Sequence, residues 1–304
     1  MKSNSHKYTE LFRSFQGEGT HTGKNTLWLR WFLCNLECRG FGQEDPTNPE
    51  TYKEVGNDRN LIDIKNLNEL PIFEYGCDSA YSVAKKYEHL VYDHTAEEIA
   101  DRLEAELVSP TNPQGLFKHP RSGAETHMCF TGGEPMMRQS QRAIESVMRE
   151  LHSRGNMPKY VTIETNGTQK LSKEFVEFLE EFHIGLGGIE WFWSLSPKLF
   201  NTSGETARKA IKPDVIKSYQ DQWTSGHLKF VVNGTEATWQ ELEDTVDLFR
   251  QEGISFPVWI MPVGATKEDQ ETEQVKKIVS ETLERGYNVS GRLHAHMLGN
   301  ELNT

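Results

Sequence analysis

Short apolar runs alternate with longer stretches of mixed polarity along most of the chain. Runs at 26–33 (Thr-Leu-Trp-Leu-Arg-Trp-Phe-Leu), 127–130, 160–165, 189–195, 228–232 and 257–262 are rich in β-branched and aromatic residues, and they predict buried strands. Between them the spacing changes to that of helices. Ile144, Val147, Met148 and Leu151 mark one at 138–153, and others are expected at about 172–182, 238–252 and 267–285. A further helix starts at Thr95, where Glu98 gives capping-box spacing and Ile99, Leu103 and Leu107 share a face. Thr238 and Glu241 offer the same cap for the 238–252 helix, and a last short strand is expected through Arg292-Leu293-His294-Ala295. No element is assigned to 199–226.

Strands alternating with helices imply parallel βαβ units with right-handed crossovers. The polar and glycine-rich motifs nearly all fall where a strand gives way to a loop. That placement favours an α/β fold of the partial (β/α) barrel kind, whose active site gathers at the C-terminal strand ends, over a doubly wound sheet with its single switch point. Residues 1–304 are expected to form one domain. Within it, the polar stretch 39–76, with Pro46 and Pro49 and weak periodicity until Leu61-Ile62-Asp63-Ile64, reads as a loop insertion carrying a short hairpin or helix.

Charge narrows the partners. The net charge of -12 argues against a nucleic-acid backbone as a direct ligand. The four cysteines are too few for a secreted disulfide framework. The first residues are polar, without an apolar leader, and no run is long enough to span a membrane, so a cytoplasmic protein is expected.

Candidate chemistry starts with Cys34-Asn35-Leu36-Glu37-Cys38, at the end of the first apolar run. With Cys77 these thiols form either three ligands of an iron–sulfur cluster with one iron left open, or part of a zinc site completed by a histidine. Cys129 lies among apolar strand residues and reads as a small core side chain. Thr131-Gly132-Gly133-Glu134-Pro135 closes the next core strand, with glycines where a backbone must come close to a ligand. Arg30 is a lone charge inside an apolar strand, a costly placement unless it pairs with an internal Glu or holds a ligand carboxylate.

The chain resembles the radical S-adenosylmethionine (SAM) enzymes and, within them, the family of 7-carboxy-7-deazaguanine synthases. The resemblance is carried by Glu10-Leu11-Phe12, Phe15-Gln16-Gly17-Glu18-Gly19, Arg30, the Cys34–Cys38 motif, Cys77-Asp78-Ser79, Thr131–Pro135, Glu164-Thr165-Asn166-Gly167-Thr168 and Ser196-Pro197-Lys198. It departs from the superfamily at position 41. A third cysteine is usual there, and here the residue is Phe41, so Cys77 becomes the replacement.

The resemblance implies a 4Fe-4S cluster on Cys34, Cys38 and Cys77, and a magnesium ion contacted by Ser79. It implies SAM bound by Thr131, Gly132, Gly133, Glu134, Glu164, Asn166, Ser196 and Lys198. Substrate contacts would come from Gln16, Glu18, Gly19 and Arg30 with His294 or His296, and no side chain would be catalytic beyond the cofactor radical. The reaction implied is ring contraction of 6-carboxy-5,6,7,8-tetrahydropterin with loss of ammonia, begun by hydrogen abstraction at C6. A homodimer and an electron donor such as flavodoxin or ferredoxin are implied as well. Two alternatives are a glycyl-radical activase, which shares related motifs, and a zinc-stabilised binding module.

Overall fold

The computed structural model describes residues 4–54, 63–185, 188–222 and 224–299. Among the described residues nine strands form one sheet: β1 (Ser5–Phe15), β2 (Asn25–Trp31), β3 (Tyr92–Thr95), β4 (His127–Gly132), β5 (Tyr160–Thr165), β6 (Glu190–Leu195), β7 (Ser225–Val232), β8 (Val258–Pro262) and β9 (Asn288–Val289). Their order is β3-β1-β2-β4-β5-β6-β7-β8-β9. From β2 to β9 every pairing is parallel, while β1 runs antiparallel to both β2 and β3. This is the α/β, partial (β/α) barrel expected from the alternation, extended at one edge by an antiparallel pair.

Period-two alternation explains both faces of the sheet. Leu27, Leu29 and Trp31 of β2, Met128 and Phe130 of β4, Val161 and Ile163 of β5, Trp191 and Trp193 of β6, and Leu228, Phe230 and Val232 of β7 join the main apolar core. Helix residues such as Ile144, Val147, Leu151, Phe175, Leu242 and Phe249 pack into that same core. The intervening positions face the other way, and Arg30, Thr131, Glu164, Ser194 and Lys229 among them line a cavity. The sheet therefore buries one register of each strand and offers the other register to chemistry.

Several elements differ from the sequence-based expectations. The stretch 292–295 is not a strand. The edge strand is Asn288–Val289, and the chain turns after it into a helix, Leu293–Leu298, whose first amide donates to Gly17 O (2.9 Å). The helix expected at 238–252 spans Glu236–Gln251, and its cap is Thr235, whose Oγ1 accepts from the Thr238 amide. Glu241 instead accepts from the Phe200 and Asn201 amides, so a long-range contact took the residue that the local spacing had assigned. The 267–285 helix is two, Lys267–Gln270 and Glu273–Glu284. Strand β1 was not anticipated. The capping box at Thr95 and Glu98 is present as expected.

The stretch 39–76 holds three-residue 3-10 turns at Pro49–Thr51 and Leu67–Glu69, and Leu61 and Ile62 lie outside the described residues. Its two ends meet. Gly76 N donates to Phe41 O (2.8 Å), and Gly42 lies so close to Glu74 that a Cβ there would sit 2.2 Å from the Glu74 carbonyl oxygen. Behind this neck Ile64, Leu70, Phe73, Tyr81, Tyr87 and Leu90 form a small apolar cluster of their own.

Candidate active site

A cavity of about 720 Å³ opens over the C-terminal ends of the parallel strands. Cys34, Cys38 and Cys77 line it, packed around Leu36, Phe41 and Ala210. The neck accounts for this convergence: because Gly76 pairs with Phe41, the residue after it arrives beside the position three residues past Cys38. The Cys34–Cys38 loop is held from outside by Glu205, whose Oε1 accepts from the Glu37 (2.6 Å) and Cys38 (2.9 Å) amides. Leu33 and Cys38 both adopt positive φ, 80° and 51°, which costs energy for L residues and reverses the chain tightly on either side of the loop.

Burial pushes the Cys34 thiol up to about 12, with Glu134 adding to it. It likewise pushes Cys77 up to about 11 and Cys38 well above the ordinary range. All three therefore favour the protonated thiol at neutral pH, and binding a metal group there must expel protons. Cys129 lies elsewhere, fully buried against Phe12 and Trp28.

The Thr131–Glu134 segment faces the thiols. Thr131, Gly132 and Gly133 line the cavity, but the glycines are demanded first by the neighbouring strand end. A Cβ on Gly132 would sit 2.4 Å from Trp31 O, and one on Gly133 would sit 2.2 Å from Leu33 O. Glu134 does not line the cavity. It is fully buried and accepts from Thr165 Oγ1 (2.6 Å) and from the Met136 and Asn166 amides (both 2.8 Å), pinning the end of β4 to the end of β5. Burial raises its carboxyl above the usual range, and these donors oppose the rise.

Asn166 Nδ2 donates to Asn35 Oδ1 (3.1 Å) and lies 3.8 Å from Cys34 Sγ. Glu164 accepts from Gln16 Nε2 and Thr131 Oγ1, both at 3.1 Å. Lys198 Nζ donates to Ser196 Oγ (2.8 Å) and sits over the Phe41 ring.

Charged side chains form the opposite wall. Glu18 is paired with Lys229, and its other oxygen lies 3.5 Å from Arg292 Nε. Burial alone would raise the Glu18 carboxyl, but Lys229 and Arg292 outweigh it and hold the group well below the usual carboxylate range. Arg30 is bound on two sides, donating from Nε to Glu10 Oε2 (2.5 Å) and from NH1 to Ser79 Oγ (3.0 Å). The internal glutamate is therefore real, while the guanidinium still borders the cavity.

Of the two histidines, His294 lines the cavity and packs on Gly17, whose Cβ would sit 1.9 Å from its Nδ1. His296 points away, 3.6 Å from Glu271. Gly19 also lies behind the wall, its amide donating to Ser290 Oγ (2.9 Å), with φ of 64° and no room for a Cβ beside His227. Two wall residues escaped the sequence reading. Lys229 carried the same signal as Arg30, a single charge inside an apolar strand; Arg292 carried none, because its partners are distant in sequence.

Among the described residues no three His, Cys, Asp or Glu side chains converge on a point fit for one metal ion, and no helix is long and apolar enough to cross a membrane. No known family's sequence model matches the chain. It is 24% identical over 97% of its length to the 7-carboxy-7-deazaguanine synthase of Rhodopirellula baltica, covering 88% of that protein. It is 26% identical to the Thermoplasma acidophilum protein of the same name, over 53% of this chain and 46% of that one. The crystal structure of QueE from Escherichia coli superposes with a TM-score of 0.49 at 14% identity, covering 95% of each chain. Over nearly its whole length, then, the chain is similar in sequence to a 7-carboxy-7-deazaguanine synthase.

Proposed function

We propose that the cavity is the active site of a radical SAM 7-carboxy-7-deazaguanine synthase, acting on 6-carboxy-5,6,7,8-tetrahydropterin in 7-deazapurine biosynthesis. One observation carries the reading: three thiols from two separate segments meet on one wall of a cavity whose other walls are strand-end polar residues and a buried charged cluster. The donor set fits a 4Fe-4S cluster. Three thiols are the soft sulfur donors that such a cluster takes, and they leave one iron without a protein ligand. When bound, the cluster and SAM would supply a one-electron bond cleavage that yields a hydrogen-abstracting organic radical.

The chain's own residues then have distinct tasks. Cys34, Cys38 and Cys77 hold the cluster. Thr131, Gly132, Gly133, Glu164, Asn166, Ser196 and Lys198 border the space for SAM beside it, and Glu134 fixes the strand ends that carry them. Gln16, Glu18, Arg30 and His294 face the substrate. An ionised Glu18 can accept hydrogen bonds from the amino groups of a pterin, and Arg30 offers a guanidinium to a carboxylate. Ser79 is the hydroxyl available to Mg²⁺, a cation that keeps most of its own waters and shares its shell with substrate oxygens. Gly19 supports these groups from behind the wall, and His296 stands away from them beside Glu271.

The test is anaerobic incubation with reductant, SAM, Mg²⁺ and pterin deuterated at C6. Deuterium in recovered SAM or 5′-deoxyadenosine, together with the deazaguanine product, is expected. Product formed without label transfer would remove the mechanism, and SAM cleavage with no pterin consumed would point to a different radical SAM reaction.

A further inference from the structure

We infer that Arg292 is a positioning residue for the substrate, a tie that holds the substrate-binding turn against the loop carrying the third cluster cysteine. This deepens the proposed function and rests on it. The turn 16–19 and the C-terminal segment are first joined to each other. Leu293 N donates to Gly17 O (2.9 Å), Gly19 N donates to Ser290 Oγ (2.9 Å), and His294 packs flat on Gly17. Arg292 leaves this unit from its centre, with a side chain only 14% exposed.

Its guanidinium reaches two other segments. NH2 donates to Asp78 Oδ2 (3.0 Å), between Cys77 and Ser79, and NH1 donates to Gly264 O (3.1 Å), just past β8. The planar fork suits this task because its donors point in fixed, divergent directions, which an ammonium cannot reproduce.

The tie is finished at Asp78 and unfinished at Glu18. Arg292 Nε is buried without a hydrogen bond, and the nearest Glu18 oxygen is 3.5 Å away, beyond hydrogen-bond range. Lys229 and, after it, the Arg292 charge keep the Glu18 carboxyl low, while that oxygen stays able to accept a hydrogen bond from a ligand. Arg292 therefore fixes how far Glu18 stands from Ser79 and Cys77, and so how a pterin lies relative to the cluster. The residues bordering the SAM space belong to β4, β5 and the segment after β6, none of which Arg292 touches.

The experiment uses full-length, cluster-loaded protein held anaerobic without reductant, titrated separately with the carboxypterin and with SAM and followed by tryptophan fluorescence. Arg292→Gln is expected to weaken pterin binding roughly tenfold, with iron content and SAM affinity unchanged. Arg292→Lys should recover part of the loss. Asp78→Asn should weaken pterin binding alone but add little in the Arg292→Gln background, because both changes break one tie. Unchanged pterin affinity, or equal losses for pterin and SAM, would overturn the inference, as would additive losses in the double variant. If Arg292→Gln fails to fold, the Lys and Asn variants decide by the same criteria. Wild-type protein that binds SAM yet binds no pterin would defeat the proposed function itself, and this tie with it.

Discussion

Two walls of the cavity are built in opposite ways. The Thr131–Asn166 wall grows directly from adjacent parallel strands, and a single buried carboxylate, Glu134, locks one strand end to the next. The Cys77–Ser79 wall is delivered by a long excursion of the chain and held by contacts at its base, at Phe41 with Gly76 and at Asp78 with Arg292. The first is rigid because its backbone belongs to the sheet. The second is placed by a neck, so the excursion beyond the neck can vary without moving Cys77.

The largest effect should come from breaking the lock of the first wall. Glu134→Ala strands the Thr165 hydroxyl and two buried amides, and should cost at least about 3 kcal/mol of stability by denaturant titration. A change under 1 kcal/mol (roughly the worth of one ordinary hydrogen bond) would mean the strand ends hold themselves.

The second wall should behave differently. Replacing residues 43–74 by a short Gly-Ser connector removes Phe73 from its cluster with Tyr81 and Tyr87, and so should lower Tm by several degrees. Iron bound per chain should stay the same, because the Phe41–Gly76 neck is kept. Iron lost along with the excursion would show that the whole loop, and not its base, places Cys77.

A smaller, graded effect is expected from the barrel interior below both walls. His227 lies between Thr20 Oγ1 and Ser194 Oγ, each 2.9 Å away, beside Phe192, Trp259, Lys229 and His21. Burial, reinforced by Lys229, depresses its imidazole to about 3, and burial with His21 depresses His127 to about 4. Folded imidazoles that refuse protons make the unfolded state the better proton binder below its own value of 6.5. Their stability contribution is therefore complete above that pH and shrinks as pH falls toward 4. Tm should drop steadily over this window, and His227→Gln should flatten the drop. An unchanged pH slope in that variant would remove His227 as its source.

Much of this was legible in the sequence, for a definable reason. Strands β2 and β4–β8 were readable because each carries a dense apolar run, and their strand-end motifs fell where the barrel places chemistry. Arg30, Thr131, Glu164, Asn166, Ser196 and Lys198 all line the cavity. What stayed hidden depends on contacts between distant segments. Glu134 was expected among the SAM-binding residues and turns out to be a strut, because only the tertiary structure brings Thr165 to it. Arg292 was expected in a strand and is instead the charged link between Glu18 and Asp78. Strand β1 was not legible because its apolar residues do not alternate: Leu11 and Phe12 are adjacent, and the pairing register shifts between Tyr8 and Glu10.

Cys77, and not Cys129, is the proposed third sulfur ligand. Iron and acid-labile sulfide measured on anaerobically purified wild type, Cys77→Ala and Cys129→Ala test it most directly. A full cluster is expected in wild type and Cys129→Ala, and loss of most iron in Cys77→Ala. Iron retained by Cys77→Ala but lost from Cys129→Ala would contradict it.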